Sequence, residues 1–422
     1  MLTQAPRGTK DVLPKESGRW QALEQIMRDT AARAGYREVR TPVFEHTELF
    51  LRGVGDTTDI VQKEMYTFKD KGDRSITLKP EGTAGAVRAL IEHSLYADVL
   101  PCKMYYLNSP IFRYEAPQSG RFREHHQFGL ECFGAQSPSV DAEIIALVFR
   151  MLEGLGVTNL TVNINSIGCP KCRPAYHAKL KEFLGERLTG LCKTCQERFD
   201  RNPLRALDCK EESCQALVKD APSMLDMLCD ECADHFAKLQ TYLAAAGIPY
   251  AVDSRIVRGL DYYTKTVFEL ITKTPQGNLT VCGGGRYDRL VEELGGPDMP
   301  GVGFGMGIER ILMLLESQGI EIGKSRQMDV FVASLGDEAR VPAFTLVQSL
   351  RQAGVKADCD HMGKSLKAQF KYADKVSVPL IAILGGDELQ KGVVKVRNMS
   401  TREETEILIS DATKAIAELL SK

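Results

Sequence analysis

The stretch from Ile111 to Gly134, IFRYEAPQSGRFREHHQFGLECFG, constrains this chain more than any other. Two apolar runs, Met104 to Phe112 and Gln127 to Phe133, flank a loop of Pro117, Gln118, Ser119 and Gly120, so the whole reads as a long antiparallel hairpin. Alternation along a strand sends Arg113 and Glu115 to one face, and Gln127, Gly129 and Glu131 likewise. Arginines and a carboxylate then share a floor. A guanidinium fork suits phosphate and carboxylate oxygens, while a fixed glutamate suits an N–H donor or a cation, so such a floor can hold two unlike ligands at once. The same residues on a free-standing hairpin would make ordinary surface ion pairs, and the stretch taken alone favours that reading. Its company along the chain decides.

With 422 residues, 43% of them hydrophobic and 26% charged, the chain has material for two or three domains with sizeable cores. Its net charge of -2 neither requires nor excludes a nucleic-acid partner, because phosphate contacts need only a local basic surface. The opening MLTQAPRGTKDVLPKE lacks an apolar core of signal-peptide length, and no long uncharged apolar run follows; a cytoplasmic protein without a membrane role is expected. In a large chain of this kind, the 12 cysteines are expected to be thiols or metal ligands rather than disulfides. Eight fall between Cys169 and Cys232. Cys169 with Cys172, Cys192 with Cys195, and Cys229 with Cys232 each enclose two residues, and Cys209 with Cys214 encloses four. Thiolate pairs so spaced suit one or two tetrahedral zinc sites, the alternative being free buried thiols. Cys102, Cys132, Cys282 and Cys359 are read as core.

Periodicity predicts an amphipathic helix over 15–35, a strand from Tyr36 to Phe44 whose Pro42 suits a sheet edge or a subunit border, and short strands at Glu64–Phe68 and Ser75–Leu78. Lys79-Pro80-Glu81-Gly82-Thr83 leads into a helix reaching about His93, with Pro80 in its first turn and Glu81 and Thr83 suited to capping. A helix over Val140–Leu155 and a strand over Leu160–Asn165 follow. Residues 166–248 change character, and cysteine pairs with helical runs mark an inserted helical module. Strand signals resume at Tyr262–Ile271 and Leu279–Cys282. Gly283, Gly284 and Gly285 then permit either a tight bend or close approach of a ligand to backbone. Gly301 to Gly307 lacks the dinucleotide-binding spacing and reads as a strand entering a helix, with Ile308, Ile311, Leu312 and Leu315 inward and Arg310 outward. From 328 to 422, alternating strands and helices predict a small α/β domain, its Lys364, Lys367, Lys371 and Lys375 forming a solvated stripe.

In order, Tyr36–Glu45 with Pro42, Phe112–Phe133, and Gly301–Leu315 with Arg310 resemble motifs one, two and three of the class II aminoacyl-tRNA synthetases. Arg258-Gly259-Leu260-Asp261-Tyr262-Tyr263-Thr264 and Gly283–Leu290 resemble the two histidine-specific segments of the bacterial histidyl-tRNA synthetase family. The resemblance covers nearly the whole chain. It implies an α+β fold: an antiparallel sheet flanked by helices in a catalytic domain (1–165 and 249–322), the cysteine-rich helical insertion (166–248), and a C-terminal α/β anticodon-binding domain (328–422). It also implies a homodimer joined through motif one.

The implied chemistry has two steps. L-histidine and ATP form histidyl-adenylate and pyrophosphate, then the histidyl group moves to the 3′ end of tRNA(His). By resemblance, Arg113 and Arg258 are catalytic, and both touch histidine: Arg113 grips the α-phosphate and the substrate carboxylate side, and Arg258 supplies charge where other members of the class lean more on a metal. Arg121, Arg123, His125 and Arg310 serve ATP, accompanied by Mg2+. Glu81, Thr83 and Gln127 hold the α-amino group, Glu131 and Tyr263 read the imidazole, Tyr262 and Tyr287 line the pocket, and Gln118 meets the tRNA acceptor end. Two positions depart from the family pattern. Lys79 stands where an arginine is usual, and His125 where a phenylalanine commonly stacks on adenine, so ATP affinity is expected to vary between about pH 5.5 and 7.5. The rival reading is a catalytically silent, synthetase-like regulatory protein that binds histidine; retention of Arg113, Arg258, Arg310 and a full C-terminal domain speaks against it.

Overall fold

The computed structural model describes residues 3–55, 58–117, 120–209, 211–274, 277–323 and 326–421. The chain divides into two compact units, Met1–Gly323 and Lys324–Lys422.

In the first unit, α1 (Pro14–Arg33) forms where the amphipathic pattern predicts a helix and buries Leu23, Met27 and Ala31, with Trp20 and Ile26 half-buried beside them. The single strand expected over Tyr36–Phe44 is two: β1 (Arg37–Glu38) and β2 (Phe44–His46), in different sheets. Pro42 lies at the break, where its missing N–H cannot extend a ladder. Next come α2 (Thr47–Val54), β3 (Thr67–Lys69), β4 (Ser75–Leu78) and α3 (Thr83–Glu92). Pro80 precedes α3 instead of lying in its first turn; Glu81 takes that end, accepting the N–H groups of Thr83 and Ala84 at 2.7 Å each.

The hairpin is β5 (Cys102–Phe112) and β6 (Glu124–Phe133), followed by α4 (Pro138–Gly154) and β7 (Leu160–Ser166). The segment after β7 carries α5 (Arg173–Gly185), α6 (Lys193–Arg198), α7 (Glu212–Leu217) and α8 (Asp230–Ala245). Then follow β8 (Tyr250–Val252), β9 (Thr264–Thr274), β10 (Gly277–Arg286), α9 (Leu290–Glu293), β11 (Gly301–Gly307) and α10 (Ile308–Ser317). Tyr262 and Tyr263, expected inside β9, precede it.

The main sheet runs β1-β5-β6-β11-β10-β9-β7-β8. It is antiparallel except at its two margins, where β1 with β5 and β7 with β8 run parallel. Alternation gives it two unlike faces. Phe128, Leu130 and Cys132 of β6, and Val302, Phe304 and Met306 of β11, join the core built with α1, α4, α8 and α10. Each fully buried side chain of this size contributes roughly 1.5–3 kcal/mol. The intervening positions, Gln127, Gly129 and Glu131 of β6 and Gly303 and Gly305 of β11, fall on the opposite face. The glycine triplet lies within β10 and makes no bend: Gly283, Gly284 and Gly285 pair with Gly305, Phe304 and Gly303 of β11.

The second unit is a five-stranded sheet flanked by helices. In chain order it has β12 (Val330–Ser334), α11 (Arg340–Gln352), β13 (Ala357–Cys359), α12 (Leu366–Lys375), β14 (Leu380–Leu384), α13 (Gly386–Lys391), β15 (Val393–Asn398), β16 (Glu404–Leu408) and α14 (Ala412–Leu420). The sheet order is β13-β12-β14-β15-β16. β16 and α13 had no counterpart in the sequence pattern. Lys364, Lys367, Lys371 and Lys375 are exposed, as a solvated stripe requires. No helix among the described residues is long and apolar enough to cross a membrane.

Candidate active site

Glu131 lies at the centre of the polar face, with none of its surface exposed. Its carboxylate accepts the Thr83 hydroxyl at 2.8 Å, the Tyr106 hydroxyl at 3.3 Å and the Tyr287 hydroxyl. Burial pushes its carboxyl up to about 8, with the donors Tyr287 and Thr83 partly opposing that rise. The pocket wall is aromatic: Tyr262 lies 4.7 Å from Tyr263 and 5.5 Å from Tyr287, ring centre to ring centre. Tyr263 therefore stands in the same wall, while the hydroxyls on Glu131 are those of Thr83, Tyr106 and Tyr287. Glu131 also needs the glycine beside it. A Cβ on Gly303 would fall 1.8 Å from its carboxylate, so the close approach is possible only over a bare backbone.

Arg258 reaches the same face from the segment before β9. Its guanidinium pairs with Glu269 of β9 and lies over β10, where a Cβ on Gly283 would come within 2.4 Å of it. The glycine triplet thus makes room for a side chain of this protein. Glu269 and Tyr106 were missed by sequence reasoning; a lone glutamate in the apolar run Val267–Ile271 was the only signal for the first.

The phosphate-type residues gather toward the hairpin loop. Arg113 donates through Nε to the Pro80 carbonyl at 2.7 Å and lies 3.9 Å from Glu115; Arg121 approaches the same carboxylate at 3.6 Å. Arg310 leaves α10 on its outer side and donates to the Thr280 carbonyl at 2.8 Å. Burial and the nearby Arg121 lower its pKa, which favours an anion there. Arg123 is held differently, stacked 4.2 Å over the Tyr114 ring and donating to the Glu115 carbonyl. Gln127 lies across Gly305, about 3.5 Å from the Cβ position there. Gln118 lies outside the described residues.

The two departures behave unlike ordinary surface groups. Lys79 is 2% exposed, its ammonium 3.4 Å from the Thr41 hydroxyl, and burial lowers it to about 8 although Glu45 and Glu81 oppose this. His125 has a buried Nδ1 without a hydrogen-bond partner. Burial first, then the charges of Arg113, His126 and Arg310, hold its imidazole down to about 3. A group held so low stays neutral through the physiological range, which argues against the expected variation of ATP affinity between about pH 5.5 and 7.5 from this residue. Its neighbour His126 is tied to Glu309 at 2.8 Å.

The segment after β7 gathers its cysteines into two groups, Cys169, Cys172, Cys229 and Cys232, and Cys192, Cys195, Cys209 and Cys214. Within each group the sulfurs lie within 4.8 Å of one another. Cys132, Cys282 and Cys359 are buried and Cys102 half-buried, as core residues should be.

A family model described as Histidyl-tRNA synthetase matches residues 8–311, and one described as Anticodon binding domain matches residues 329–419. A protein of Caldanaerobacter subterraneus subsp. tengcongensis named Histidine--tRNA ligase is 59% identical over 416 residues, spanning 99% of this chain and 100% of that protein. A protein of the same name from Alkaliphilus oremlandii is 59% identical over 421 residues, 100% of each. The crystal structure of apo S. aureus histidyl-tRNA synthetase superposes with a TM-score of 0.85 at 38% identity, covering 98% of this chain and 99% of its own. Five motifs in order, an α+β sheet on whose one face Glu131 and Arg258 meet, and relatives alike from end to end agree: the chain belongs to the histidyl-tRNA synthetase family.

Proposed function

We propose that this chain is a histidine–tRNA ligase, which activates L-histidine with ATP and transfers the histidyl group to the 3′ end of tRNA(His). The observation that carries the reading is the buried Glu131, walled by tyrosines on the sheet face that Arg258 also reaches. An imidazole offers an N–H to that carboxylate. An apolar amino acid would leave Glu131 and the hydroxyls around it unpaired, and a mismatch of this kind discriminates by ~10⁴-fold, so editing is unnecessary.

In the first step the histidine carboxylate attacks the α-phosphorus of ATP and pyrophosphate leaves. Both reactants are anions, so the site must supply positive charge where it builds up. Arg113 and Arg258 take that role, with Arg121, Arg123 and Arg310 on the outer phosphates and His125 against the adenine. Glu81, Thr83 and Gln127 orient the α-amino group, and Tyr262, Tyr263 and Tyr287 close around the ring. The hard carboxylate oxygens of Glu115 and Glu269, interleaved with these arginines, fit Mg2+, which would be shared with the phosphates and neutralise part of their charge.

In the same reading, residues 1–165 and 249–322 form the catalytic domain, 166–248 the insertion, and 328–422 the anticodon reader, while Gln118 meets the acceptor end. The enzyme is a cytoplasmic homodimer joined through residues 36–45; exposed Val43, Phe44, Leu51 and Phe68 around motif one support such a contact. The eight insertion cysteines hold structural zinc.

Histidine-dependent exchange of pyrophosphate into ATP tests the reading. Wild type should catalyse it, and Arg258→Ala should lower the rate by ~10²–10³-fold. Histidine binding by wild type without exchange would instead identify the silent regulator.

A further inference from the structure

We propose that the eight cysteines form two separate tetrathiolate zinc centres, and that each centre holds one half of the Arg258–Lys265 segment in place for histidine. The inference rests on the ligase reading above and on its assignment of these thiols to zinc.

The geometry of each group is that of a tetrathiolate metal site, not of a disulfide. Zinc–sulfur bonds of ~2.3 Å in a tetrahedron set neighbouring sulfurs ~3.8 Å apart, whereas a disulfide needs ~2.05 Å. Cys169 Sγ lies 3.7 Å from that of Cys172 and 3.8 Å from that of Cys229; Cys192 and Cys209 are 3.8 Å apart. In each group a backbone N–H points at a sulfur, Cys229 at Cys172 (3.2 Å) and Cys192 at Cys214 (3.1 Å), which stabilises a thiolate.

The first group clasps the insertion where it leaves the sheet and where it returns. Cys169 and Cys172 follow β7, and Cys229 and Cys232 open α8, whose Phe236, Leu239 and Leu243 enter the main core. Three residues of this clasp region are tied to the start of β9. Arg173, next to Cys172, donates to the Tyr263 carbonyl; Lys265 donates its N–H to Gly168 at 2.9 Å. Glu231, between Cys229 and Cys232, takes the Lys265 ammonium at 2.8 Å, and the same ammonium lies 3.5 Å from Asp288, beside Tyr287. The second group closes the loop that carries Asn202 and Arg205. Arg205 donates to the carbonyls of Arg258, at 3.0 Å, and Gly259, and Asn202 to Asp261 at 2.9 Å. A cleft of about 230 Å³ separates the two sets of ties, lined by Arg173, Arg205, Arg258 and Asp261 among others. The first centre thus backs Tyr263–Lys265, the second Arg258–Asp261, and these residues act on histidine as positioning groups through the segment they hold.

Full-length protein purified without chelator should contain two zinc ions per chain. Cys229→Ser and Cys209→Ser should each retain one, and cobalt substitution should give the ligand-field bands of tetrahedral thiolate in both. Fewer than one zinc per chain in the wild type overturns the metal assignment, whatever the exchange assay shows. Glu231→Gln and Arg205→Met leave every thiol intact, so they should keep two zinc ions while raising the KM for histidine roughly tenfold with the KM for ATP unmoved. Two zinc ions with an unchanged histidine KM in both variants would overturn the positioning role. Absence of exchange in zinc-replete wild type would instead sink the ligase reading.

Discussion

At the scale of single residues, the proposed histidine site turns on Glu131. A carboxyl held near pH 8 by burial is protonated at neutral pH in the ligand-free pocket, and a bound N–H donor favours its ionised form. Histidine binding therefore releases a proton, and the histidine KM should fall as pH rises from about 7 toward 8. Glu131→Gln should abolish that slope and raise the histidine KM by roughly 10–100-fold, the loss of one charge-assisted bond in a dry site. The ATP KM, measured in the same exchange assay, should stay within about twofold. This residue could be singled out in the sequence, and Thr83 and Tyr287 could be placed in its site by resemblance, but not their bonds to its carboxylate. Tyr106 is one aromatic residue in an apolar strand, and nothing in its neighbourhood tells that it bonds a carboxylate on the next strand. Thr83 was legible as a helix-start residue, and its hydroxyl has the further task of donating to Glu131.

At the scale of elements, the polar face works because two neighbouring strands, β10 and β11, present glycines there, leaving room for Glu131 and Gln127 of β6 and for Arg258. Gly283→Ala is the sharpest probe. Its Cβ would meet the Arg258 guanidinium at 2.4 Å, so the arginine must shift by about an ångström, and a misplacement of that size costs ~10²-fold in rate. The exchange kcat should drop accordingly while thermal unfolding moves by only a few degrees, about what one accommodated methyl costs in a protein of this size. Strands and helices with clean periodicity, such as α1 and β11, were readable because burial on one face leaves its mark at every second or third position. The glycine triplet resisted because glycine's local preference is for bends, and its place in β10 comes from what packs above it. Asp141 is another such case. It lies in α4 with no exposed surface and pairs with Arg286 of β10, itself next to Tyr287. Burial alone would raise its carboxyl, yet Arg286 and the hydrogen bond from His235 bring it down to about 2. Removing either member of such a pair costs ~3–5 kcal/mol, but only the fold brings the two together.

At the scale of the whole molecule, the two compact units have separate cores, one around the main sheet and one around β12 and β14. A chain ending at Gly323 should therefore fold and keep pyrophosphate exchange within about threefold of full length, while its kcat/KM for charging tRNA falls at least tenfold, about 1.4 kcal/mol of transition-state binding. Loss of exchange on truncation would show that the second unit shapes the amino-acid site. The segment between β7 and β8 has a different standing. Because its two ends meet at Cys169, Cys172, Cys229 and Cys232, and because Arg173 and Glu231 run from that junction to Tyr263 and Lys265, it is hinged beside the amino-acid pocket like a handle on a valve. A large ligand held by the outer helices of this segment would act through those ties on Tyr263 and Lys265, so nucleic acid seated there should change amino-acid affinity at the proposed site without touching the reacting atoms.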